Sequence, residues 1–176
     1  MVTEQGKVLQ ALQTAIQMEK DGKECYQQAG KESGNELGRK LLQSLAEEED
    51  THLRKFVEIY DTMRNKDGWP KITFRPDHGK RLRTVFARTC PMVGPGVKAA
   101  STELDVLTIS IDKENQSFDF YRQKSEQATY PAEKEFFESL AGEEREHSLV
   151  LLDYYQYLKD PSSFFVEKEH HSMDGG

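Results

Sequence analysis

Shifted by 95 residues, positions 11–61 of this chain fall on 106–156 without a gap, and twelve residues coincide. The identity of the matches restricts the fold more than their number. Unrelated amphipathic segments would share apolar positions, as Leu12/Leu107, Ile16/Ile111 and Leu45/Leu140 do here. These two segments also share Glu19/Glu114, Glu48/Glu143, Glu49/Glu144, His52/His147 and Tyr26/Tyr121. A repeat that keeps glutamates and a histidine in register carries chemistry as well as packing.

Each copy reads as a helical hairpin. Stripes spaced three and four apart run Leu9, Leu12, Ile16, Glu19, Lys23, Tyr26 and then Leu42, Leu45, Glu49, His52, Phe56, Ile59, Met63. The second copy runs Leu104, Leu107, Ile111, Glu114, Phe118, Tyr121 and then Phe137, Leu140, Glu144, His147, Leu151, Tyr154, Leu158. That spacing holds each stripe on one helix face. Turn signals stand at Ser33-Gly34-Asn35 and Thr129-Tyr130-Pro131. Few stretches alternate with period two, which argues against a sandwich or barrel, and 176 residues suit one domain. The expected fold is all-α: a four-helix bundle made of two repeated hairpins, about 5–65 and 103–160, in a domain spanning 1–160. A linker over 66–102 joins the hairpins, and a tail covers 161–176.

Six of the stripe positions that should be Leu or Ile are Glu19, Glu49, His52, Glu114, Glu144 and His147. A buried carboxylate is costly unless it is paired or bound to metal. Antiparallel geometry gives an independent check. The midpoint of Glu19 and Glu49 is residue 34, in the first turn, and that of Glu114 and Glu144 is residue 129, in the second. Equal distance from a turn means equal height, so all six side chains converge on one layer. Two divalent ions would neutralise its four carboxylates. The oxygen-rich, nitrogen-poor set suits iron or manganese and admits zinc. A zinc hydrolase is disfavoured, because the chain has no His-Glu-x-x-His. The competing reading is a metal-free bundle with a protonated or hydrogen-bonded polar layer. A third Glu-x-x-His, Glu167 to His170, follows Pro161, lies on no apolar stripe and reads as coincidence. His170 and His171 are assigned to a tail rather than to a site.

The formal net charge is −7, which argues against a general nucleic-acid binder. The linker is the exception, with eight Lys/Arg against three acids over residues 66–103 and four of the six prolines. With Trp69, Phe74 and Phe86 it has two readings: a surface for an acidic redox partner, or a strap that spans the bundle and neutralises its acidic face. It is also long enough for hairpin exchange in a homodimer. Cys25 and Cys90 form no disulfide framework or thiolate metal site and are read as structural or incidental. No apolar run approaches the length of a membrane helix, and the opening residues have no apolar core of the kind a signal peptide carries. A cytoplasmic location is therefore expected.

The pattern Glu19…Glu49-x-x-His52…Glu114…Glu144-x-x-His147 resembles the ferritin-like di-iron carboxylate proteins. The spacing of seven in Glu19/Tyr26 and Glu114/Tyr121 resembles the rubrerythrin branch. The resemblance covers about 5–65 and 103–160. It implies that Glu49 and Glu144 bridge two metals, that Glu19 and Glu114 are terminal ligands, and that His52 and His147 supply one nitrogen each. There are two departures. The chain has no Cys-x-x-Cys pairs of an iron–thiolate domain. Where rubrerythrins place an extra glutamate three residues after the third-helix ligand, it has Ser117, with Gly22 at the equivalent first-helix position.

Tyr26 and Tyr121 have two readings, hydrogen-bond donors to the ligating glutamates or core tyrosines. Glu48 and Glu143 either orient the opposite histidine or belong to a solvated face. The expected function is a non-haem di-iron oxidoreductase acting on peroxide or dioxygen, fed by an external electron donor such as a rubredoxin-type protein. The alternatives are iron handling by ferrous oxidation and temporary holding, or a structural, partner-binding bundle with incidental metal.

Overall fold

The structure is a computed structural model that describes residues 3–66 and 68–166. Five helices carry it: α1 (Glu4–Glu32), α2 (Glu36–Asn65), α3 (Lys80–Val93), α4 (Ser101–Glu126) and α5 (Pro131–Lys159). A further helical stretch covers 161–166. α1 packs along α2 and α4 along α5, giving the two repeated hairpins of an all-α ferritin-like bundle.

Local chemistry sets the helix ends. Thr3 accepts the N–H of Gly6 to open α1, and Asn35 accepts that of Gly38 to open α2. Both satisfy first-turn donors that the helix itself leaves unpaired. At α5, Pro131 takes the first helical position, and the Glu133 carboxylate accepts the N–H groups of Thr129 and Tyr130. The first turn is pinned to the other hairpin. Ser33 and Tyr154 both donate to Glu103 at 2.7 Å, and Asn35 donates to the Tyr154 hydroxyl at 2.8 Å. These bonds fix the relative height of the hairpins, on which a shared layer depends.

The core is two apolar clusters. One gathers Leu37, Leu41, Leu45, Leu107, Leu151 and Tyr26, and the other Leu12, Phe56, Ile59, Phe137, Leu140 and Tyr121. The six charged stripe residues lie between them along the chain. No described helix is long and apolar enough to cross a membrane.

The linker is more structured than its composition suggests. It contains α3, which packs on α2 and α5, with Leu82, Phe86 and Cys90 buried. His78 and Gly79 adopt left-handed backbone (φ 56° and 69°) to start that helix. Upstream, Trp69 meets Phe136 and Phe137 with ring centroids 5.8 and 5.9 Å apart. Arg81 pairs with Glu47 and Arg83 with Glu146. The linker aromatics thus point inward, and two of its arginines meet acids on α2 and α5. After α5, Phe164 and Phe165 pack against Tyr157, so the start of the tail is docked. His170 and His171 lie outside the described residues.

Candidate metal centre

α1 contributes Glu19, α2 Glu49 and His52, α4 Glu114, and α5 Glu144 and His147; none is more than 3% exposed. The structure brings them together as two overlapping groups, Glu19–Glu49–His52–Glu144 and Glu49–Glu114–Glu144–His147. Glu49 and Glu144 belong to both. The two imidazoles lie nearly parallel, 5.7 Å between centroids.

Among the described residues, eight buried side-chain atoms lack a hydrogen-bond partner, and six of them are here. They divide into two sets of three. Around His52 Nδ1 stand Glu19 Oε2 and Glu144 Oε1, each at 3.4 Å. Around His147 Nδ1 stand Glu49 Oε1 at 3.0 Å and Glu114 Oε2 at 3.6 Å. Unsatisfied buried polar atoms are expensive and rare, so six at one height require an explanation. Two donors each about 2.1 Å from a common ion, at angles between octahedral and tetrahedral, are roughly 3.0–3.4 Å apart. Three of the four histidine–carboxylate distances fall in that range, and Glu114 Oε2 at 3.6 Å lies just beyond it; with one nitrogen and several carboxylate oxygens, each set suits a metal ion.

Metal-free, the layer is electrostatically uncomfortable. Burial, followed by the charge of neighbouring carboxylates, holds Glu49 and Glu144 well above the usual carboxyl range. Burial pulls the His147 imidazole down, but Glu114, Glu48 and Glu49 outweigh it and hold it high. For His52, burial is likewise outweighed, by Glu19 and Glu49. Burial opposes the charge on Glu114 too, yet His147 and Tyr26 keep its carboxyl low. Protons and imidazolium charge do in part what cations would do.

Both tyrosines reach the layer from the opposite hairpin. Tyr26 donates to Glu114 Oε1, and Tyr121 donates to Glu19 Oε1. Burial and those same carboxylates push both phenols up, so they remain protonated donors. The hydrogen-bonding reading of these residues describes their positions; each is also a core residue.

Glu48 and Glu143, equivalent in the repeat, part company. Glu48 Oε2 is 3.0 Å from His147 Nε2 and orients that ring. Glu143 instead accepts the N–H of His78 at 2.9 Å and, at 3.4 Å, that of Asp77. Glu48, Asp77 and Glu143 form a third acidic grouping, and these bonds account for Glu48 Oε2 and for both oxygens of Glu143. Facing His52 is Phe74, edge-on with centroids 5.8 Å apart. Phe74 and the Asp77–His78 backbone are contributions the sequence did not reveal. They belong to the linker, which has no counterpart in the repeat to betray them.

A sequence-family model described as Rubrerythrin matches residues 10–85 and 105–173. Comparison with curated proteins and with solved structures gave no match.

Proposed function

The chain belongs to the rubrerythrin family, and from that premise we propose that it is a di-iron carboxylate oxidoreductase that reduces peroxide or dioxygen with electrons from a separate carrier of rubredoxin type. The observation that carries this reading is the division of six unpartnered buried donor atoms into two sets of three. Manganese or zinc would satisfy the same donors. Iron is chosen because a redox pair gives such a buried, charge-balanced site a use. When bound, two ferrous ions supply two electrons to an oxidant.

The residues divide the remaining work. Glu49 and Glu144 belong to both groups, which supports a bridging role. Glu19 and Glu114 serve as terminal ligands, each steadied by a tyrosine hydroxyl from the other hairpin. His52 and His147 each present Nδ1 to one position. Glu48 holds the His147 ring from behind, which fixes its tautomer and orientation as outer carboxylates do for metal-bound imidazoles. The four carboxylates balance two divalent ions, so no net charge stays buried.

The test combines elemental analysis with stopped-flow mixing. Protein loaded with ferrous iron should hold two ions per chain and be oxidised by hydrogen peroxide and by air-saturated buffer. Repeated turnover should need an added one-electron carrier. Oxidation by neither reagent, in protein shown to hold two irons, rejects the redox reading. Oxidation without turnover in the presence of a carrier leaves iron handling.

A further inference from the structure

Between α1 and α4 lies a pocket of about 170 Å³ that ends on the metal layer. Its floor is Tyr26, Glu49 and Glu114, and its mouth carries the exposed Asp21, Lys113 and Gln116. It therefore opens on the His147 group and approaches from helices that carry no ligating histidine.

Two observations indicate that this space is a site. At Gly22, a Cβ would lie 2.9 Å from Glu49 Oε2; any side chain there would press on that carboxylate, and glycine leaves the approach open. Ser117, at the equivalent repeat position, is also small and lines the pocket. Secondly, Ser110 lines the pocket, is 1% exposed, and its hydroxyl has no hydrogen-bond partner. A buried hydroxyl left unpaired is costly. Its repeat counterpart is Ala15, fully buried in the core, so the bundle itself has no need of a hydroxyl at that position. The hydroxyl is available to a ligand.

Volume and charge narrow the ligand. A cavity of about 150 Å³ accommodates benzene in another protein, whereas a water's share of liquid is about 30 Å³. The space is several times what hydrogen peroxide fills. The mouth carries one cation and one anion, which favours a neutral guest, and Met18 and Cys25 add soft apolar wall. We propose that the α1–α4 pocket binds a small neutral alkyl hydroperoxide of about four to six carbons, with Ser110 Oγ donating a hydrogen bond to its alkyl-bearing oxygen. The proposal rests on the redox reading above. The O–O bond of R–O–O–H breaks, two electrons come from the reduced metal pair, and two protons come from solvent. The products are R–OH and water, and the hydrogen bond from Ser110 stabilises the departing alkoxy oxygen.

Binding is measured apart from turnover, on zinc-loaded protein, with tert-butyl alcohol as the redox-inert probe. Amide resonances of Gly22, Ser110 and Ser117 should shift on titration. Ser110→Ala, which installs the residue its repeat counterpart already has, should weaken binding about three- to tenfold. Ser117→Phe, at a half-exposed position, should abolish it by filling the space. In parallel, reduced iron-loaded wild type is mixed with tert-butyl hydroperoxide and with hydrogen peroxide. Probe binding that survives Ser117→Phe, or shifts elsewhere in the bundle, overturns the site. Oxidation by hydrogen peroxide but not by the alkyl hydroperoxide overturns the substrate class while sparing the redox reading. Normal probe binding with oxidation by neither peroxide overturns the redox reading and the substrate assignment with it.

Discussion

Behind His147 the bundle supplies a carboxylate; against His52 the linker supplies a ring. Glu48 Oε2 sits 3.0 Å behind His147, while Phe74 meets His52 edge-on. The residue equivalent to Glu48, Glu143, is engaged by the linker backbone at Asp77 and His78. The α1–α4 face differs in the same sense. Cys25 and Ser110 line the open pocket beside Glu49 and Glu114, whereas their counterparts Phe120 and Ala15 are an aromatic packed on Tyr121 and a buried core residue. The repeat thus sets the six candidate ligands symmetrically, while the linker and the unmatched repeat positions Ser110/Ala15 and Cys25/Phe120 make the surroundings unequal. One position is dressed for strong histidine donation and open access, the other for enclosure.

Removing the ions should give the largest effect, because it acts on both positions together. Glu49 and Glu144 have folded pKa values raised above those of the unfolded chain. Their stabilising contribution is present below the ordinary carboxyl range and is lost as pH rises through the raised values. The raised imidazoles act in the same direction. The depressed Glu114 acts oppositely, but only at pH below the ordinary carboxyl range. Metal-free protein should therefore melt below loaded protein by on the order of 10 °C at pH 8 and by less at pH 5.5. Replacing Glu49 and Glu144 together with Leu should recover most of that loss in metal-free protein. Calorimetry at the two pH values decides: equal melting temperatures with and without metal contradict the account.

The bundle and its polar layer were legible because both repeat. Stripe spacing announced the helices, and the midpoints at residues 34 and 129 announced a common height. The roles of Tyr26 and Tyr121 could be read only as alternatives, since spacing cannot say which way a phenol points. The linker was opaque for another reason. Its prolines and basic residues look like a spacer, while Leu82, Phe86 and Cys90 need α2 and α5 already in place before their burial makes α3 worthwhile. Glu143 looked like Glu48 because the sequence could not show a backbone loop arriving to claim it.

Glu48→Gln and Glu143→Gln test the inequality most directly. Glu48→Gln should weaken the His147 metal position on the order of 10- to 100-fold and leave the His52 position nearly unchanged, giving biphasic metal titrations. Glu143→Gln should leave both affinities alone. It weakens two backbone hydrogen bonds and the support for the left-handed His78, so it should cost about 1–2 kcal/mol of stability. Matching metal-binding losses in the two variants would break the comparison.

The smallest effect should come from the tyrosines, where the two halves are alike. Tyr26 and Tyr121 each cross to the other hairpin and donate to the first-helix glutamate there, Glu114 and Glu19 respectively. Both phenols stay protonated, and phenylalanine keeps each ring's packing, including that of Tyr121 on Phe56 at 5.5 Å. Removing either hydroxyl therefore deletes one hydrogen bond to a carboxylate. Each variant should lose about 1 kcal/mol of metal affinity at its own position, and the two losses should agree to within about 0.5 kcal/mol. Tyr26 also borders the α1–α4 pocket, so reaction with alkyl hydroperoxide is the one readout in which the pair should differ. Metal titration of the two single variants is the check. Affinity losses differing by more than about 1 kcal/mol would mean that the inequality of the surroundings extends into the ligand layer itself, and that the repeat no longer governs the glutamates.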